Sequence, residues 1–278
     1  MRLMDQSPDT ITLQEAADRL GVHYMTVYRY VRLGRLPAHK SGGTWEVSVA
    51  DLEAFRHDTD PVARPRHPAD WARRLEARLV AGDEAGAWGV VEAALASGME
   101  PAGVYTEMLG PALESVGCRW HDGEISVAVE HLASAVAIRI VGRLGPRFAR
   151  KGRTWGRVVV TTPEGEVHAI PSAMLSDLLR AAGFEVTDLG VDIPSETLAG
   201  IIERIGTPVA VCISATRAGS DREIRRAVKA VRASTDALVL VGGGAVVDAA
   251  HATSLGADGW AADGPGAVRM VLDSVTKA

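Results

Sequence analysis

The chain has 278 residues, 47% of them hydrophobic, with 30 Lys and Arg against 35 Asp and Glu for a net charge of −5. That length and apolar content suit two or three domains with buried cores, and the charge argues against indiscriminate nucleic-acid binding while allowing a local basic face. No run of about 18 apolar residues exists, so no membrane span is expected, and the N-terminus lacks a basic-then-apolar leader, so a cytoplasmic chain is expected.

The first segment runs to about Arg56. Thr12 with Glu15 three residues later is a capping-box signature, and Leu13, Ala16, Ala17 and Leu20 share one face of the helix that follows. Gly21-Val22 makes a turn. A second helix is predicted from about His23 to Gly34, with Val27 and Val31 inward. This is helix, tight turn, helix, the geometry that lays a second helix in a DNA major groove. From Arg19 to Lys40 there are five Arg and Lys residues and no acid. Gly42-Gly43 turns between two short strands, and a helix follows from Val49 to Phe55. The order resembles the winged-helix module of the MerR/excisionase class. The candidate DNA-facing residues are His23, Tyr24, Thr26, Arg29 and Arg32, with Lys40 and Trp45 at the wing. Tyr24 and Arg29 are candidates for base edges and Lys40 for phosphate. Thr44 and Glu46 make this wing less basic than is usual, so a single head is expected to bind weakly.

Residues 57–69 hold Pro61, Pro65 and Pro68 among charges, which reads as a semi-extended linker. Residues 70–150 show helical spacing: Trp71, Leu75, Leu79; Val90, Val91, Leu95; Val104, Met108, Leu109. Breaks at Gly82-Asp83, Ser97-Gly98 and His121-Asp122-Gly123 predict a four-helix bundle. Its last helix places Val127, Glu130, His131 and Ser134 on one face. A Glu-His pair between Val129 and Leu132 needs a polar partner if it is buried.

From residue 156 to the end, apolar runs alternate with helical stretches. Strands are predicted near Val158–Val160, Val186–Leu189, Val209–Ile213, Leu238–Val241 and Trp260. Helices are predicted over Ala169–Ala182, Ser195–Ile205, Asp221–Arg232, Val246–Leu255 and Gly266–Val275. Five such units predict a flavodoxin-like or Rossmann-like parallel sheet of five strands. The whole is a multidomain α and α/β chain: a winged helix-turn-helix head, a four-helix bundle and this sheet domain. Cys118 and Cys212 fall in different segments, so no disulfide is expected, and both read as small buried hydrophobes.

Ligands of such sheets sit beyond the carboxyl ends of the strands, where His168, Ser214 and Gly242 fall. A neutral imidazole is a good ligand for a borderline transition metal, and its second nitrogen needs a carboxylate or carbonyl to fix the tautomer. Glu166 is the natural partner two residues away, with Glu164 an alternative. Gly242, Gly243 and Gly244 allow a bulky group to approach the backbone. Trp120 and the Glu130-His131 pair supply a flat ring and a second nitrogen from the helical segment. A planar metallocofactor with one ligand below and an aromatic lid above fits this set. No nucleophile–base pair, P-loop or Cys-x-x-Cys is present. Zinc hydrolysis through His121, Asp122 and His131 is disfavoured by their spacing.

These motifs resemble those of the cobalamin-binding transcription regulators of the CarH/LitR photoreceptor type, over nearly the whole chain. In that family a Glu/Asp-x-His motif supplies the lower axial cobalt ligand, matched by Glu166-Val167-His168. A Trp-x9-Glu-His motif covers the upper face, matched by Trp120, Glu130 and His131, with Val127 in the same stretch. Ser-x-Thr/Leu and Gly-Gly line the slot for the nucleotide tail, matched by Ser214-Ala215-Thr216 and Gly242-Gly243. The family pattern has glycine three residues after the ligand histidine; here it is Pro171.

The resemblance implies adenosylcobalamin as cofactor and cobalt as its metal, with Trp120 shielding the adenosyl group and Glu130 contacting it. His131 would take the upper cobalt position after photolysis. It further implies a homotetramer on operator DNA in the dark, dispersed by light, and no enzyme activity. Two alternatives stay open: a regulator on the same scaffold sensing another ligand or none, and a component of a cobalamin methyltransferase.

Overall fold

The computed structural model describes residues 10–20, 22, 24–32, 36–41, 44–58 and 70–276. They form two units, one within Met1–Pro68 and one within Ala69–Ala278. No helix among the described residues is long and apolar enough to cross a membrane.

In the first unit, strand β1 (Thr10–Thr12) leads into helix α1 (Leu13–Leu20). The capping box forms there: Glu15 Oε2 accepts the Thr12 N–H at 2.9 Å, and Thr12 Oγ1 accepts the Glu15 N–H at 3.3 Å, so two otherwise orphaned donors are satisfied. Helix α2 (Tyr24–Arg32), strands β2 (His39–Ser41) and β3 (Thr44–Ser48), and helix α3 (Val49–Asp58) follow. The sheet order is β1-β3-β2, antiparallel, with Ile11 opposite Val47 and Lys40 opposite Trp45. Ile11, Leu13, Ala16, Ala17, Val27, Leu36, Val47 and Leu52 make the core. Strand β1 is three residues long and adds an element that the sequence pattern does not predict. Helix α3 also runs past Phe55 to Asp58, into the stretch read as linker.

The second unit opens with helices α4 (Trp71–Val80) and α5 (Glu84–Ala96), capped by Asp70 and Asp83, whose carboxylates accept the Arg73 and Gly86 N–H groups. The third bundle helix is composite. A short turn, α6 (Pro101–Gly103), and a π-helical turn, Val104–Leu109, run into α7 (Gly110–His121). Pro111 has no N–H for the carbonyl four residues earlier and its ring would crowd it; a wider turn accommodates this. Gly110 fits there because a Cβ would stand 3.0 Å from the Tyr105 carbonyl. Helix α8 (Val127–Leu144), capped by Ser126, completes the bundle, and a 3-10 turn (Gly145–Phe148) leads out of it.

The sheet strands are β4 (Arg157–Thr161), β5 (Glu185–Asp188), β6 (Ala210–Ser214), β7 (Leu238–Gly242) and β8 (Gly259–Ala261). The helices are α9 (Ala169–Ala181), α10 (Ser195–Ile205), α11 (Asp221–Ser234), α12 (Ala249–Ser254) and α13 (Gly264–Thr276). All strands pair in parallel in the order β5-β4-β6-β7-β8, the flavodoxin-like winding. Burial on both faces explains the continuous apolar runs. Val159, Val211, Ile213, Val239 and Val241 pack with Leu198 and Ile202 of α10 and Ile224 and Val228 of α11. Val158, Val160, Cys212 and Leu240 pack with Leu179 of α9 and Val271 of α13 on the other face. Helix α12 is shorter than predicted: Asp248 caps it by accepting the His251 N–H at 2.7 Å, so it starts at Ala249 rather than Val246.

Bundle and sheet share one unit. Leu178 of α9 is buried in the bundle core, and buried Tyr105 donates to Asp177 Oδ2 at 2.7 Å across the joint. The Tyr105 ring stacks on Phe148 with centroids 4.9 Å apart. Both thiols are free; Cys212 is buried, but Cys118 is only half-buried on α7, which corrects the expectation of two buried cysteines.

Candidate functional site

The β4–α9 loop carries His168 at the N-terminal end of α9. The flavodoxin-like order reverses between β4 and β6, so the loops after these strands face each other across the switch point. Glu166 bridges them. It is 1% exposed. Its Oε1 accepts both the backbone N–H of His168 at 2.9 Å and the ring Nδ1 of His168 at 2.5 Å. Its Oε2 accepts the N–H groups of Thr216 and Arg217 at 2.6 and 2.7 Å. Glu164, the alternative partner, instead pairs with Arg226.

Burial by itself pushes the Glu166 carboxyl up, but the donors from His168, Arg217 and Thr216 outweigh it and hold the group at about 2. The carboxylate is therefore charged at neutral pH. It raises the His168 imidazole in turn, against the opposing effect of burial, and the negative charge of Glu130 adds to the rise. With Nδ1 turned to Glu166, Nε2 is the nitrogen left for a metal, and the side chain is 51% exposed. Among the described residues no three His, Cys, Asp or Glu side chains converge on one metal position. A single protein nitrogen suits a metal whose other ligands come from a macrocycle.

The turn before His168 is held from the β5–α10 loop. Asp192 is a non-glycine residue at φ 56°, a conformation that Asp tolerates better than most residues. Its Oδ1 accepts the Gly165 N–H at 2.6 Å. Its own N–H is shared between Thr162 Oγ1 and the Glu166 carbonyl, both at 2.9 Å. Sequence reasoning misses Asp192, since nothing in residue type marks a left-handed aspartate. Its position just past the end of a parallel strand is the available signal.

Behind the loop lies a cavity of about 190 Å³ lined by Pro171, Leu175, Cys212, Ser214, Gly242 and Asp263, among others. Its floor depends on glycine. A Cβ on Gly243, which has φ 94°, would stand 2.2 Å from the Ala215 carbonyl oxygen, and one on Gly242 would stand 2.9 Å from that of Ala261. Pro171 is the third residue of α9, where a helical N–H has no intrahelical acceptor, so the missing donor costs the helix nothing. Ser214 lines the cavity, whereas Thr216 enters the site through its backbone N–H to Glu166.

On the bundle, Trp120 lies in the last turn of α7 and Val127 begins α8. They are 48% and 50% exposed, and Val167 is 66% exposed. All three are large apolar side chains left open to solvent; Val167 stands between Glu166 and His168 in the chain, and Glu130 of α8 is the bundle group whose charge acts on His168. Glu130 accepts from Ser134 Oγ at 2.8 Å and from His131 Nδ1 at 2.6 Å. His131 is 75% exposed and Glu130 only 24%, so the imidazole stands open to solvent while its carboxylate partner is half-buried. The residues present fit a corrinoid: one oriented imidazole, a glycine-floored apolar slot, and exposed apolar groups with a second histidine on the bundle.

In the head, Tyr24 stacks near Tyr28 with centroids 6.3 Å apart, and the Arg32 guanidinium lies 5.9 Å from the Tyr28 ring. Lys40 lies 5.3 Å over the Trp45 ring, itself partly buried on the head core. Thr26 is half-buried on α2. His23 and the turn at Gly42-Gly43 lie outside the described residues, as does the Arg29 side chain.

Residues 71–144 and 156–271 each match a family model described as a B12 binding domain, and residues 10–58 match a helix-turn-helix domain. A corrinoid protein of Desulfitobacterium hafniense is 31% identical over 165 residues, covering 57% of this chain and 76% of that one. The HTH-type transcriptional repressor CarH of Myxococcus xanthus is 36% identical over 137 residues, 49% of this chain and 44% of that one. The solved monomethylamine corrinoid protein of Methanosarcina barkeri shares the fold at a TM-score of 0.63 with 23% identity, covering 72% of this chain and 95% of that one. The chain belongs to the B12-binding corrinoid protein family, and it carries a helix-turn-helix domain ahead of its two B12-binding domains.

Proposed function

We propose that the chain is a transcription regulator whose sensor is adenosylcobalamin and whose signal is light. The observation that carries this reading is the Glu166-oriented imidazole of His168 at the switch point of a sheet, in a chain with a helix-turn-helix domain at its head. The likeness to the CarH repressor adds support.

When bound, adenosylcobalamin supplies a cobalt–carbon bond that visible light breaks. His168 offers Nε2 as the lower ligand, and Glu166 keeps its other nitrogen occupied and the ring in one orientation. Ser214, Gly242 and Gly243 admit the nucleotide tail. Trp120 and Val127 would shield the bound group from solvent, Glu130 would contact it, and His131 would offer a second nitrogen to the metal. Each state of the pocket favours one assembly of the chain. A tetramer in the dark joins several weak DNA heads and multiplies their affinity through effective concentration; loss of the tetramer in light releases the operator.

The corrinoid relatives favour a second reading, a methyl-carrying component of a methyltransferase system. One experiment separates the two. Purified protein loaded with adenosylcobalamin is followed by absorption and by retardation of promoter DNA, before and after green light. Light-dependent release of DNA supports the sensor. A corrinoid that binds with no effect on DNA occupancy supports the carrier.

A further inference from the structure

Between Glu130 and Glu164 the chain has no acidic residue and seven Lys and Arg residues. Four of the seven are engaged within the fold. Arg139 pairs with Glu84 at 2.7 Å, and Arg143 lies 5.1 Å over the Trp88 ring. Arg150 donates to the Ala181 carbonyl at 3.2 Å. Arg157 pairs with Glu185 at 2.6 Å and donates to the Ile205 carbonyl. Arg147, Lys151 and Arg153 are exposed and have no partner among the described residues. Two residues beyond Arg153, Trp155 is 55% exposed.

The segment is held rather than loose. The Trp155 N–H donates to the Gly183 carbonyl at 3.0 Å, and the Glu185 N–H donates to the Gly156 carbonyl at 3.0 Å. Gly183 itself has φ 96°, and a Cβ there would stand 3.2 Å from Trp155 Cδ1 and 3.7 Å from an Arg150 nitrogen. Arg150, Trp155 and the Gly183 backbone therefore form one surface, with the other cations within a few residues. It lies at the amino ends of β4 and β5, the opposite edge of the sheet from His168. A partner bound here leaves the corrinoid pocket free.

We infer that this patch, Arg147, Lys151, Arg153 and Trp155, is a second contact surface for the DNA backbone, additional to the helix-turn-helix head. A net-negative protein concentrates unpaired cations in one acid-free stretch where a polyanion is to be met. Arginine's planar fork suits phosphate oxygens, and an exposed indole among cations is suited to pack along a sugar–phosphate strand or a frayed base. DNA is favoured over other polyanions because the same chain carries a helix-turn-helix domain. Residues 59–69 join α3 to the second unit, and a chain of that length reaches at most about 40 Å. Head and patch belong to one chain, so a head bound to a duplex raises the effective concentration of the patch at DNA phosphates.

The test uses the full chain loaded with adenosylcobalamin in the dark and a duplex of roughly 40 base pairs and mixed sequence as probe, with affinity measured from about 50 to about 300 mM salt. Wild type should show a steep linear fall of log affinity with log salt. The Arg147→Ala, Lys151→Ala, Arg153→Ala variant should lower that slope by roughly 2–3, about 0.9 for each phosphate it no longer neutralises, and weaken binding about 100-fold near 0.1 M salt. Arg147→Lys with Arg153→Lys keeps the charges and should keep the slope. Thermal unfolding and the corrinoid spectrum of each variant establish that the fold is intact. An unchanged slope in the triple alanine variant overturns the proposal. So does an unchanged duplex affinity accompanied by lost binding to anionic phosphatidylglycerol vesicles, which would assign the patch to a membrane surface. Loss of operator binding on changing the head alone, with the patch slope retained, leaves this inference standing while locating sequence reading in the head.

Discussion

Asp192 and Gly165 lock the two loops that meet at the carboxyl edge of the sheet. The Asp192 carboxylate accepts the Gly165 N–H at 2.6 Å, and both residues have positive φ, 56° and 77°. A left-handed aspartate is retained at some conformational cost, of roughly 1 kcal/mol, because it holds the turn that ends in His168. Asp192→Gly should relieve the backbone strain but free the Gly165 N–H and let the turn move. Asp192→Asn should keep an oxygen acceptor and behave nearly as wild type. The expected outcome is a corrinoid affinity lowered about tenfold in the glycine variant, with a visible spectrum showing partial loss of the histidine ligand. A glycine variant with wild-type spectrum and affinity would separate Asp192 from ligand positioning.

His168→Ala removes the imidazole that the β4–α9 loop offers to a metal and leaves Glu166 buried without its ring partner. Corrinoid affinity should fall by one to two orders of magnitude, and the spectrum should become that of a corrinoid lacking a histidine ligand. Glu166→Gln should act differently. The amide retains one acceptor for four donors, so the apoprotein should lose about 1–3 kcal/mol, read from urea unfolding, before any ligand effect is counted. Unaltered stability in Glu166→Gln would mean that the two loops are held by other contacts.

Several of these relationships are legible in the sequence and several are not. Alternation places Val158 and Val160 on one face and Val159 on the other, so strand β4 and its neighbours follow from residue type alone. Thr12 and Glu15 announce a helix start because the capping box is local. Glu166-Val167-His168 is also local: two residues of extended chain bring carboxylate and imidazole to the same side. Strand β1 has three residues and makes no periodicity of its own; pairing with β3 creates it. The π turn arises from Pro111 acting on a carbonyl one turn earlier, which no apolar spacing reveals. The donors that hold Glu166 from Thr216 and Arg217 lie 50 and 51 positions away. They are backbone groups, invisible to residue type.

The Tyr105–Asp177 hydrogen bond joins bundle to sheet over 72 positions, and Asp177 also takes Arg180 at 2.8 Å. Tyr105→Phe keeps the stack on Phe148 and removes the hydroxyl alone. The buried carboxylate then keeps one partner, and a loss of about 1–3 kcal/mol is expected from urea unfolding. If stability is unchanged, packing against Phe148 and Leu178, rather than the hydrogen bond, holds the joint.

Burial pushes the Cys118 thiol up to about 11 and the Cys212 thiol up to about 12. A raised thiol pKa means the unreactive neutral form predominates at every pH below it. Near pH 8, about half a unit below an ordinary thiol pKa, folded protein should therefore react with a disulfide reagent at least roughly 100-fold more slowly than an unperturbed cysteine. Cys212 also lines the cavity behind Pro171, so loading with corrinoid should slow it further and leave Cys118 unaffected. Equal labelling of Cys212 with and without corrinoid would place the nucleotide tail elsewhere.

On the head, Arg29 and Arg32 lie on α2, the second helix of the helix-turn-helix, and Arg32 is positioned over Tyr28. Arg29→Ala with Arg32→Ala should weaken DNA binding and lower the salt slope by about one for each phosphate that the variant no longer reaches. A residue that reads a base edge should in addition relax sequence preference, which competition between operator and mixed-sequence duplex measures. Normal retardation of operator DNA by the double variant would move the recognition face off α2.

Under the proposed function, Trp120, Glu130 and His131 would link the pocket to assembly. His131 is exposed and tied to Glu130 through Nδ1, and Glu130 is in turn held by Ser134, so Nε2 is the His131 nitrogen left for a ligand. Under the proposed function the apoprotein and the light-exposed protein should share a small oligomer, and adenosylcobalamin in the dark should give the larger one with tight DNA binding. His131→Ala leaves Glu166 and His168 untouched. It should bind adenosylcobalamin and assemble in the dark as wild type does, then lose the stable light-state spectrum after illumination. Trp120→Ala removes the proposed shield and should weaken dark assembly instead. Size-exclusion chromatography of the three proteins, in dark and light, with and without cofactor, reads both effects at once. An oligomer indifferent to light and cofactor would remove the photoreceptor reading and leave a B12-binding protein with a DNA-binding head whose signal lies elsewhere.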